Sequence, residues 1–167
     1  MTVAADGNSR QLDPRVITFD RLVGWITTVV FAGLSLLGLL IAWLAGGLPD
    51  WAWPAAGPAW SLLVAALAWH SYRWPELSWA RTSYVLDAQG LEIRTGVLWR
   101  RIISVPRSRV QHIDVSQGPM QRSYGLATLV IFTAGTVHSS VPLAGLAHET
   151  ALRVRDLLLP RADEDGV

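Results

Sequence analysis

Residues 22–49, LVGWITTVVFAGLSLLGLLIAWLAGGLP, contain no charged side chain, and no other stretch of this 167-residue chain restricts its folding so strongly. As a helix, the apolar part from Leu22 to Ala45 would be about 36 Å long, enough to cross a hydrocarbon layer of about 30 Å with some tilt. A core helix of a soluble protein seldom runs this far without a polar face. A secretory h-region is shorter and lies nearer the N-terminus. The sequence therefore predicts a membrane span.

The next stretch is read as its return leg. Between Asp50 and Arg73 the chain again lacks charge, WAWPAAGPAWSLLVAALAWHSY, although Pro54, Gly57 and Pro58 weaken the start of a helix there. Gly46, Gly47, Pro49 and Asp50 predict the intervening turn. Trp25, Trp43, Trp51, Trp53 and Trp74 stand near the ends of the two segments, where indole rings settle at headgroup level. Arg10, Arg15 and Arg21 precede the first segment and Arg73 and Arg81 follow the second, while the turn carries only Asp50. This bias places both termini in the cytoplasm, with the turn outside the plasma membrane. Within the hairpin, Thr27, Thr28 and Ser35 are expected to bond their own helix, and Gly33 and Gly38 to permit close helix approach.

The expected organisation is a disordered tail over 1–15, a transmembrane hairpin over 16–75 with spans near 22–45 and 53–73, a β-domain over 80–160, and an acidic tail over 161–167. After Pro75 the pattern changes to short alternating runs. Strands are predicted at 82–86, 91–95, 97–105, 109–115, 126–133 and 136–141, with 116–125 as a loop. Residues 147–159 read as an amphipathic helix stopped by Pro160. These features predict a small antiparallel β-domain closed by a C-terminal helix.

Composition limits the chemistry. The hydrophobic fraction is 51%, cysteine is absent, and formal net charge is +1. All 14 basic residues are Arg, too thinly spread for a nucleic-acid binder. Without cysteine there is no thiolate nucleophile and no Cys-based metal site. His112, His138 and His148 lack metal-ligand spacing, the serines lack a nucleophile-elbow setting, and the glycines form no phosphate loop. No catalytic, cofactor-binding or metal-binding residue is assigned, and no cofactor is expected.

The stretch from Tyr84 to Gly135, YVLDAQGLEIRTGVLWRRIISVPRSRVQHIDVSQGPMQRSYGLATLVIFTAG, resembles the bacterial pleckstrin-homology-like domain of YdbS-type membrane proteins. The most specific part is Pro106 to Gly135, with an Arg-x-x-Gln segment after the proline, then Gln-Gly-Pro-hydrophobic-Gln-Arg and Gly-Leu-Ala. The resemblance implies a membrane helical hairpin followed by a small all-β pleckstrin-homology-like barrel or sandwich with a C-terminal capping helix. It further implies a non-enzymatic interaction or scaffold module on the cytoplasmic face of the inner membrane, serving envelope stress or membrane-complex assembly. Lipid-headgroup binding and service as an accessory subunit of a transport complex are the alternatives.

Arg107, Arg109, Gln111, Gln117, Met120, Gln121, Arg122 and Tyr124 bracket that specific part and are candidates for an interaction surface. In the structural alternative, Arg109 or Arg122 instead fixes the 116–125 loop by donating to its carbonyls. Arg94, Arg100 and Arg101 are candidates to face an anionic leaflet. The partners expected are the bilayer, anionic lipid, and either a second copy or another membrane protein.

Overall fold

The computed structural model describes residues 6–47, 49, 51–134 and 140–159. The chain divides into two units, residues 17–76 and residues 1–16 with 77–167. Asp50, the turn at Gly135, residues 136–139 with His138, Pro160 and the acidic tail lie outside the described residues.

The first unit is a helical hairpin. Helix α1 runs Arg15–Leu44 and α2 runs Trp53–Ala80. Only 6% of the apolar span of α1 is buried, and Leu34, Ile41 and Leu44 are all exposed. A core helix of a soluble protein would be covered. Among the described residues α1 alone is long and apolar enough to cross a membrane.

Thr27 and Thr28 donate to the carbonyls of Val23 and Gly24 and Ser35 to that of Phe31, as expected of hydroxyls in an apolar helix. Close approach is made elsewhere than expected. Gly33 and Gly38 face open space, whereas a Cβ on Gly24 would lie 2.9 Å from Ser71 Cβ. That contact seats Thr28 Oγ1 3.0 Å from Ser71 Oγ, and farther along the hairpin Trp60 Nε1 donates to Ser35 Oγ at 2.9 Å. At the charged end, Arg21 reaches Glu76 at 2.5 Å and stacks its guanidinium over the Tyr72 ring. α2 does not stop at Pro75. The proline removes one backbone hydrogen bond, yet its fixed φ is helical and its ring is buried.

The second unit holds two antiparallel sheets. The first has the order β1 (Ser9–Gln11), β2 (Ser83–Leu86), β3 (Gly90–Thr95) and β4 (Arg101–Pro106). The second has β5 (Val110–Ser116), β6 (Leu126–Thr133) and β7 (Ser140–Ala147). Alternation puts Tyr84, Leu86, Leu91, Ile93 and Val105 on the inner face of the first sheet. They meet Ile113, Leu129, Ile131, Val141 and Leu143 of the second, in the manner of a sandwich. Helix α4 (His148–Leu158) buries Ala151, Val154 and Leu158, one stripe at helical spacing, and packs on β5, β6 and β7.

β1 corrects the expectation of a disordered N-terminal segment. Ser9, Arg10 and Gln11 pair with Val85, Tyr84 and Ser83, and Leu12 enters the core. Because Gln11 faces Ser83, the chain leaves this sheet and re-enters it at the same end of one strand pair.

Three further expectations are refined. The strand predicted at 97–105 begins only at Arg101, because Gly96, at φ +120°, turns the backbone out of the ladder. The imperfect alternation of RVQHIDV reflects a bulge between Val110 and His112. The 116–125 loop contains a short helix, α3 (Pro119–Ser123), started by a proline at its first position.

Candidate functional site

The eight interaction candidates do not form one surface. Arg107 and Arg109 lie in a 3-10 turn before β5, whereas Met120, Gln121 and Arg122 lie in α3 beyond its far end. Seven strand residues separate the two groups, a distance of roughly 20 Å. Several of the side chains hold the fold together. Arg107 donates to the Leu159 carbonyl at 2.9 Å and ties the end of α4 to the 3-10 turn. Gln117 donates to the Leu126 carbonyl at 2.7 Å. Gln121 accepts from the Gly118 backbone at 3.1 Å and donates to Thr128 Oγ1 at 3.2 Å. Two glutamines therefore fix the 116–125 segment, the task assigned to Arg109 or Arg122 from sequence. Arg109, Gln111, Met120 and Arg122 are exposed and Tyr124 is half-buried.

The three leaflet candidates do come together. Arg94 faces Ile102 across the β3–β4 ladder and Thr95 faces Arg101, so Arg94, Arg100 and Arg101 share one end of the first sheet, all exposed. His112 sits on exposed β5 with Nε2 2.6 Å from Asp114.

One concavity was not foreseen. A groove of about 1100 Å³ runs along β1 and the following Leu12–Arg15, past Trp79 and Tyr84, to the junction of β7 and α4. β1 is an edge strand of its sheet and β7 of the other. The chain crosses between those edges where Asp13 N–H donates to the Gly145 carbonyl at 3.0 Å. Gly145, at φ +85°, stands at the bulge opposite Ala127–Thr128, which turns that carbonyl outward. Trp79 Nε1 donates to the Leu12 carbonyl at 2.9 Å and holds the segment down.

The groove is lined on its polar side by Arg10, Arg15, His148 and Arg153, with Asp13 and Glu149 opposing them. Arg10 pairs with Asp6 at 3.0 Å and Arg153 with Glu149 at 3.3 Å. Among the described residues His148 Nδ1 is buried without a hydrogen-bond partner. Uncompensated burial of that kind is uncommon in a finished interior. The signal missed in the sequence was Leu12, an apolar residue within the stretch expected to be a disordered tail.

Burial pushes the Tyr84 phenol above the usual tyrosine range, and the positive charge of Arg10 pulls it partly back. The folded chain therefore holds this proton more tightly than the unfolded one. The resulting stabilisation is complete below about pH 10 and is lost as pH rises through the raised value. Tyr84→Phe is expected to flatten the alkaline arm of a profile of melting temperature against pH. An unchanged arm would assign the alkaline loss to other groups.

The sequence pattern of the family described as Bacterial PH domain matches residues 20–162. The chain belongs to that family. The UPF0699 transmembrane protein YdbS of Bacillus subtilis (strain 168) is 41% identical over 86 residues, 50% of this chain and 52% of that protein. The chain thus spans about half the length of the curated relative it matches. No solved structure matches it. The match extends from within α1 past the end of α4, so this bacterial PH domain protein carries its apolar helix and its sandwich within one family unit. It is a membrane-associated PH-like protein of the YdbS type.

Proposed function

We propose that this is a non-enzymatic protein of the bacterial plasma membrane, with both termini cytoplasmic and with α2, less apolar than α1, crossing as the return leg of the hairpin to make a second span. Its PH-like unit assembles a membrane complex by binding another membrane protein or a second copy. The observation that carries this reading is the groove between β1 and the β7–α4 junction. It combines aromatic walls, Trp79 and Tyr84, with polar groups that include the unpartnered His148 Nδ1. Apolar walls with a few convergent polar groups are the equipment of a recognition site. Function in envelope stress fits the same reading. An accessory role in transport is less well supported, because the span from Leu22 to Ala45 carries no ionisable group.

Photo-crosslinking in cells from positions 9 and 150, on opposite sides of the groove, tests the binding role. Capture of a discrete membrane protein or of a second copy supports it. No adduct from either position, with the chain present at normal level, would sink it.

The orientation has its own test, since the chain has no native cysteine. Cysteine is introduced singly at Gly47, beside the turn, or at Ser108, in the 3-10 turn. An impermeant maleimide applied to intact spheroplasts is expected to label the Gly47→Cys chain and to reach the Ser108→Cys chain only after lysis. The reverse pattern would invert the topology.

A further inference from the structure

The segment between β3 and β4 is short and constrained. A Cβ on Gly96 would lie 1.8 Å from the Trp99 carbonyl oxygen, so only glycine allows the backbone to close this way. The closed loop carries Leu98 and Trp99 at its tip, 78% and 86% exposed. Ile102, 64% exposed, follows on the outer face of β4 beside Arg94. Three large apolar side chains therefore stand together in solvent at one end of the first sheet. Single exposed apolar residues need no explanation, but a grouped set on a constrained loop indicates a surface that is covered in use.

The charge around the tip identifies the cover. From Ile93 to Ile113 the sequence contains five Arg and no Asp or Glu. The nearest preceding acid, Glu92, is already paired with Arg94 at 2.7 Å. Among the described residues the guanidinium groups of Arg100 and Arg101 have no partner, and both residues are exposed. Indole and aliphatic groups framed by arginine suit the boundary between acyl chains and anionic headgroups. A second copy fits poorly. A two-fold contact through this tip would bring the arginines of both chains together with no acid between them.

We propose that Leu98, Trp99 and Ile102 form a wedge that inserts into the surface of an anionic bilayer, with Arg100 and Arg101 on the lipid phosphates. This rests on the membrane-anchored reading above and names a second, reversible attachment made by the PH-like unit. Because α1 belongs to the same chain, docking is an intramolecular event at high effective concentration.

The test uses the full chain in nanodiscs, with an environment-sensitive nitrobenzoxadiazole probe on Leu98→Cys and, separately, on Ser116→Cys as an exposed reference. With phosphatidylglycerol present, the probe at 98 is expected to shift to the blue, to be quenched by doxyl-labelled lipid, and to resist aqueous iodide. The probe at 116 remains open to iodide. Arg100→Ser with Arg101→Ser is expected to lower the docked-to-undocked ratio by about thirtyfold.

An aqueous probe at 98 in a chain that stays in the nanodisc overturns the wedge and leaves the anchor standing. A chain that does not stay in the nanodisc overturns both. Equal protection at 98 and 116, or a blue shift at 98 that grows with protein concentration in lipid-free micelles, also overturns the wedge. The latter result assigns the tip to a second copy.

Discussion

Replacing Leu129 with alanine is expected to cost the PH-like unit about 3 kcal/mol, within the range for truncating a fully buried leucine. Leu129 is 0% exposed at the middle of β6, paired with Val115 of β5 on one side and Leu143 of β7 on the other. Its neighbours in the core come from both sheets, and the helix stripe of Ala151 and Val154 belongs to the same cluster. Three strands and α4 fix the surrounding backbone, so the space left by the side chain closes only in part. The effect is read by hydrogen exchange on the full chain in detergent. Core amides of β5, β6 and β7 are expected to exchange about a hundredfold faster if they open with the whole unit. Ser104→Ala, at an exposed site on β4, serves as the comparison and should leave those rates unchanged. If Leu129→Ala exchanged no faster, β6 would not be the centre of a cooperative unit.

Removing residues 1–12 is expected to be comparably severe, although the described residues of the deleted segment contain only one short strand. Three losses combine. Burial of Leu12 contributes about 2 kcal/mol. The Trp79 indole N–H loses the Leu12 carbonyl, and an orphaned donor in a part-buried site costs about 1 kcal/mol or more. β2 loses β1, keeps only β3 and becomes an edge strand, open to pairing with other chains. A loss of about 3 kcal/mol corresponds to a fall in melting temperature of more than about 10 °C for a unit of this size. Leu12→Ala alone should produce about half of the fall, and the full deletion should add self-association. A deletion variant that melts with the parent would show that β1 is dispensable.

Much of the architecture was legible because it follows from local pattern. The uncharged run from Leu22 imposes a long helix wherever it is placed, and the threonines and serine within it bond their own backbone as such side chains do in apolar helices. The Asp87–Gly90 turn carries its own chemistry, since Asp87 Oδ1 accepts from the backbones of Gln89 and Gly90, both at 2.8 Å. The stripe of Ala151, Val154 and Leu158 required only helical periodicity. The resemblance carried by Pro106 to Gly135 supplied the sandwich.

The candidate site was much less legible. Gln117 and Gln121 resemble recognition residues in sequence, yet they satisfy backbone and hydroxyl groups around α3. Arg107 likewise serves the Leu159 carbonyl. A polar side chain near a loop has the same appearance in sequence whether its partner is internal or external. The groove could not be read at all, because its walls come from residues 9–15, 79–84 and 146–153.

The sequence by itself therefore determined the membrane-length helix, the strand periodicity of most of the region after it and the amphipathic α4. Each depends on side chains a few residues apart. Only the tertiary structure decided that Ser9–Gln11 is a strand, that Gly24 rather than Gly33 or Gly38 is the close-approach glycine, and that an open groove lies between β1 and β7. Those outcomes depend on contacts between residues more than 40 positions apart. A three-residue strand has too little pairing of its own to signal its presence. β1 exists because β2, Trp79 and the bulge at Gly145 are already in place to receive it.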